Sequence, residues 1–138
     1  MLQLLIQLRA LQLAAHNAHN LCARIVFFQD HEFFAEVYTF AEDSYDSVIE
    51  RMLGLGMEQQ LNMAQIISEV AKIVATAPSH TKENKDYFVY IQSKIQECNK
   101  MIEALCKDPK QSQGTIQMLG DIANEFEVKL YKISRRIK

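Results

Sequence analysis

Three of the four histidines and a dense set of carboxylates fall between His16 and Gly56, in the stretch HNAHNLCARIVFFQDHEFFAEVYTFAEDSYDSVIERMLGLG. Imidazole and carboxylate together suit iron, manganese or zinc, so a histidine above an acidic stripe raises metal chemistry. On a helix advancing ~100° per residue, His31, Glu42, Asp46 and Glu50 lie within about 100° of one another. A charged helix face is often only solvated, and that reading stands beside the metal one. His31 and Asp46 are about 22 Å apart along one helix, so within one chain they cannot hold the same ion. Asp46 and Glu50, at i and i+4, can. If all of these residues serve one site, its other ligands come from a second copy of the chain. Two such helices antiparallel about a two-fold axis bring His31 of one against Asp46 and Glu50 of the other, twice over. A di-iron site within one bundle needs Glu-x-x-His motifs on facing helices. No histidine of this chain has a glutamate three residues before it.

The elements that must carry these residues are helices. With 138 residues, 49% apolar content, two prolines and four glycines, the chain makes one domain over residues 1–138 and lacks the turns of a β-rich fold. Leu4, Leu8, Leu11, Ala15 and Ala18 mark a first helix over about residues 2–23, with Leu2, Leu5 and Leu13 widening its apolar stripe. The run Ile25-Val26-Phe27-Phe28 reads as a corner leading to a second helix over about 27–53, with Phe27, Phe34, Val37, Tyr38, Ala41, Tyr45, Val48, Ile49 and Met52 on its apolar face. Asp30, Glu32, Glu36, Glu42, Asp43 and Glu50 crowd its other side, and Gly54-Leu55-Gly56 stops it. A shorter amphipathic helix over 57–77 has Leu61, Ala64, Ile67, Val70 and Val74 on one side and ends at Pro78, with a cap for the next helix at Ser79 or Thr81. Long helices over 82–106 and 115–137 follow. The expected fold is all-α: a four-helix bundle of ferritin-like topology, with a short extra helix in the long crossover between its second and third long helices.

The net charge of -2 gives no general attraction to nucleic acid. The apolar N-terminus is broken by Gln3, Gln7, Arg9 and Gln12 at helical spacing, which argues against a membrane span. Cys22, Cys98 and Cys106 form no CxxC pair and read as buried or half-buried thiols of a cytoplasmic protein. His16 reads as a surface or supporting neighbour of the site, His80 as a solvated loop residue, and the basic end Lys132, Arg135, Arg136, Lys138 as the complement of a helix dipole or a phosphate contact.

His19, His31 twelve residues on, Asp46 fifteen further and Glu50 four further, then Arg51 and the Leu55-Gly56 ending, form a pattern that resembles the Dps family of mini-ferritins. The likeness extends to the last helix, GTIQMLGDIANEFEVKLYKI, through Thr115 and the acidic turn after it. The resemblance implies a ferroxidase centre at a dimer interface, with His19 and His31 from one subunit and Asp46 and Glu50 from the other as iron ligands and catalytic groups. It further implies a dodecameric shell that oxidises Fe(II) with hydrogen peroxide or O2 and stores ferric mineral. The chain departs from the family pattern at Asn20, where a tryptophan is common, and at Ala35, where an aspartate is common. The corner between the histidines is Ala23-Arg24-Ile25 in place of a glycine-containing one. Gln117 stands where an acid of the iron pore is common, with Asp121 and Glu125 as substitutes, and no basic tail of the kind that holds DNA precedes the first helix. The competing expectation is a non-catalytic helical scaffold or a DNA-compacting protein whose acidic face is only solvated.

Overall fold

In the computed structural model, which describes residues 1–81 and 83–138, the chain forms five α-helices and, among the described residues, no strand. The first, α1 (Leu2–Leu21), buries Leu4, Leu5, Leu8, Leu11 and Ala15. Its burial on more than one face follows from its neighbours, because it packs on three other helices. Leu13 departs from the expected stripe and is exposed. α2 (Phe27–Gly54) contributes Phe34, Val37, Ala41, Val48 and Met52 to the core. It ends in a Schellman turn: the Gly56 N–H donates to the Leu53 carbonyl at 3.0 Å and the Met57 N–H to the Met52 carbonyl at 2.9 Å. Gly56 takes φ +74, the left-handed value this turn requires, whereas Gly54 is still helical.

A single 3-10 turn (Glu58–Gln60) and α3 (Met63–Val74) follow, the latter capped by the Asn62 side chain, which accepts the Gln65 N–H at 3.0 Å. Ile66 and Val70 face inward, while Ile67 and Ala64, expected on the buried side, are exposed. Periodicity alone does not fix the rotation of a short helix rich in Ile and Met on both sides. α4 (Asn84–Cys106) and α5 (Gln113–Arg136) complete the chain. The expected start of α4 at Lys82 lies outside the described residues. Thr81 braces α4 from two residues upstream: its hydroxyl accepts the Glu83 N–H at 3.2 Å and also donates to the Asp86 carboxylate. The N-cap itself is Glu83, with no side-chain bond. Ser112 caps α5 by accepting the Thr115 N–H at 3.2 Å.

Side-chain bonds between the helix ends give their directions. Asn84, at the start of α4, bonds to Ala23 and to Asp30, so α4 begins where α2 begins and runs parallel to it. Arg136, at the end of α5, bonds to Asp30, so α5 returns to that same end. The segment joining α2 to α4 therefore crosses the length of the bundle, with α3 packed against α1. Phe34, Phe88 and Phe126 are the largest wholly buried side chains. Burial of each contributes about 1.5–3 kcal/mol relative to leaving it exposed. Among the described residues no helix is long and apolar enough to cross a membrane.

Candidate functional site

The last turns of α1 carry His16 and His19, and the first turns of α2 carry His31. Between them the chain reverses over Cys22–Val26, where Arg24 takes φ 81. That backbone conformation favours glycine, and an L-residue is held there at a cost of roughly 1–2 kcal/mol. The reversal brings residues twelve apart into mutual contact. The His19 Nδ1–H donates to the His31 carbonyl at 2.7 Å, and the His31 Nδ1–H donates to the His19 carbonyl at 2.6 Å. A carbonyl only accepts, so each Nδ1 carries a proton, and in the neutral form of each ring the lone pair is on Nε2. This is the arrangement in which a ligating histidine is held by its other ring nitrogen.

The rings are also fixed by stacking. The His19 and His31 centroids are 3.5 Å apart with planes at 21°, and Phe27 stacks on His31 at 4.8 Å. Tyr38 meets His19 edge-on at 5.3 Å and stacks on the exposed His16 at 4.3 Å. His16 is thus a neighbour of the pair. Cys22, buried beneath, donates its thiol to the His19 carbonyl at 3.5 Å. Burial, with Asp30 nearby, pushes that thiol's pKa up, so it is protonated at neutral pH.

Asp46 and Glu50 lie exposed farther along α2, and among the described residues neither makes a hydrogen bond or an ion pair. Glu50 lines a shallow cavity of about 490 Å³ with Ser47, Arg51, Gly54, Leu55 and Met118. Within one chain, histidine pair and carboxylate pair remain apart. Among the described residues no three His, Cys, Asp or Glu side chains converge on one point. Glu42 is exposed on the same helix. Glu36, one position past Ala35, turns toward α5 and pairs with Lys132 at 3.3 Å. Thr115 is buried and bound to Ser112, while Gln117, Asp121 and Glu125 are exposed along α5.

Asp30, expected among the solvated acids, is buried to 1% exposure. Arg136 grips it from Nε at 2.9 Å and from a terminal nitrogen at 2.8 Å, and Asn84 donates to it at 2.8 Å. The carboxylate in turn raises the pKa of the Arg136 guanidinium. These partners are 54 and 106 residues away in the chain. No local pattern signals them, and Arg136 is an ion-pair partner where the sequence suggested a dipole complement or a phosphate contact. Among the described residues Lys129 is the other buried charge, its pKa lowered by desolvation, with its ammonium 4.5 Å from the Phe40 ring centre. No protein-family model matches the chain, and no curated protein matches it significantly.

Proposed function

We propose that this chain is a mini-ferritin of the Dps type, a ferritin-like bundle that takes Fe(II) as substrate, oxidises it and stores the ferric product. Copies pair about a two-fold axis with their α2 helices antiparallel, and twelve copies close into a shell. Each interface then holds two sites, built from His19 and His31 of one copy and Asp46 and Glu50 of the other. The observation that carries this reading is the reciprocal bonding of the two imidazoles, which commits both Nδ1–H groups and leaves both Nε2 lone pairs for a metal. The carboxylates without partners on the same helix support it.

At such a site the histidines bind as neutral ligands, Asp46 bridges, and Glu50 anchors iron from the opposite chain. Two Fe(II) ions each give one electron to hydrogen peroxide. The O–O bond breaks, two protons are taken up, and two waters leave without release of hydroxyl radical. A non-catalytic scaffold is the competing reading, favoured by the lack of any three converging ligands within one chain among the described residues. DNA is not an expected partner, since a net charge of -2 provides little of the phosphate attraction on which such binding depends.

The test is Fe(II) loaded anaerobically and then mixed with peroxide. Oxidation runs faster with the protein than without it, and His31→Ala and Glu50→Ala each return it to the background rate. Light scattering finds a closed assembly near twelve copies. A stable monomer at micromolar concentration, or oxidation no faster than in buffer, refutes the reading.

A further inference from the structure

The geometry points to Asp30, Asn84 and Arg136 as positioning residues that present both imidazoles, by fixing the corner on which the reciprocal histidine bonds depend. The inference rests on reading the histidine pair as ligands, but the corner makes its own case. Each imidazole is oriented by the backbone carbonyl of the other's residue, so the two bonds survive only while the ends of α1 and α2 keep their relative placement. Within the corner the Arg24 carbonyl accepts the Phe27 N–H at 3.1 Å and the Cys22 thiol donates to the His19 carbonyl, but the segment is strained and open to solvent. Arg24 occupies the left-handed region, Ile25 is 99% exposed and Phe28 is 78% exposed.

Further fixation comes from the far helices. Asn84 commits its whole carboxamide: Oδ1 accepts the Ala23 N–H at 3.0 Å, while Nδ2 donates to the Ala23 carbonyl at 2.6 Å and to Asp30 at 2.8 Å. Asp30 directly precedes His31, and both of its oxygens are held by Arg136. One knot therefore ties the corner, α2, α4 and α5 at the end where the rings stack. Asp30 is only 1% exposed, too little for water to replace a lost partner. Releasing Asn84 or weakening Arg136 frees the carbonyls of residues 19 and 31 to drift. The imidazoles then lose the acceptors that keep their protons on Nδ1.

The experiment is magic-angle-spinning NMR of the assembled protein labelled with 15N-histidine, with His16 and His80 replaced by glutamine so that only the pair is seen. The parent shows both rings with the proton on Nδ1. Asn84→Ala and the milder Arg136→Lys shift the pair toward the Nε2–H form while helix content by circular dichroism is kept, and Arg135→Lys leaves the spectrum unchanged. Affinity for Co(II), a probe that peroxide chemistry need not accompany, falls by about tenfold to hundredfold in the first two variants. If both folded variants keep the Nδ1–H tautomers, the positioning role is overturned. Tautomer shifts in a protein whose parent binds no Co(II) would support the positioning role and count against the histidines as metal ligands, so the two claims fail separately.

Discussion

Arg136→Ala removes two hydrogen bonds to Asp30, and Asp30→Ala removes those two and the one from Asn84, but they strand different charges, and the difference can be worked from the structure. Asp30 has a side chain only 2% exposed, whereas that of Arg136 is 36% exposed. Without Asp30, the guanidinium turns into water and the Asn84 amide keeps its bond to the Ala23 carbonyl, so the lost bonds cost about 1.5–3 kcal/mol after exchange with solvent. Without Arg136, a carboxylate with one remaining partner, Asn84, stays buried. Breaking a buried pair in that direction costs about 3–5 kcal/mol. The guanidinium also lies 5.1 Å from the Phe88 ring centre, a contact that adds about 0.5 kcal/mol. Arg136→Ala is therefore the worse of the two substitutions by roughly 2 kcal/mol, even though it alters the more exposed residue. Denaturant unfolding of both variants at one fixed protomer concentration measures this, so that any association of copies weighs equally on both. An Asp30→Ala cost equal to or above that of Arg136→Ala refutes the assignment of Asp30 as the stranded charge.

Two further outcomes follow from the same structure. Gly54 and Gly56 both have open space where a side chain would go, so their alanine substitutions differ only through the backbone. Gly54→Ala, on helical backbone, raises stability by about 0.5 kcal/mol, while Gly56→Ala, at positive φ, lowers it by about 1 kcal/mol; thermal melts giving both the same sign contradict the Schellman turn. Burial pushes the Cys98 thiol pKa from 9.0 up to about 12. The folded state thus keeps a proton that the unfolded chain loses, and this stabilisation is complete below pH 9.0 and declines as pH rises toward about 12. By two pH units into that window the loss is roughly 2–3 kcal/mol, and Cys98→Ala lacks it. Parallel stability–pH curves for parent and variant would refute the burial argument.

The helices were readable because their signals are local. Apolar residues at spacings of three and four gave α1 and α2 to within two residues, and Gly54-Leu55-Gly56 marked the stop, with Gly56 as the residue that makes the turn. The histidines were readable as chemistry, yet nothing in their spacing announced that each ring would bond to the other's carbonyl. That contact depends on a corner with Arg24 at positive φ, a position where composition would call for glycine. Asp30 departs from its expected solvated place for a related reason. On a helical wheel it belongs with the acids, and only the end of α5, 106 residues away, makes it a buried anchor. Ile67 shows the limit of periodicity in a helix of twelve residues, where a small rotation exchanges the inner and outer faces.

The central claim, a metal site shared between two chains, is tested most directly by mixing two inactive variants. In a His31→Ala chain the carboxylates survive, and in a Glu50→Ala chain the histidines survive. An interface pairing one of each contains one site with every ligand and one lacking two. A shell assembled from equal amounts, verified as mixed by mass spectrometry, therefore recovers about a quarter of the parent's intact sites. Its Fe(II) oxidation with peroxide rises to a corresponding fraction of the parent rate, above either pure variant. No recovery in a verified mixed shell contradicts the shared site, because ligands drawn from one chain alone are not restored by any combination.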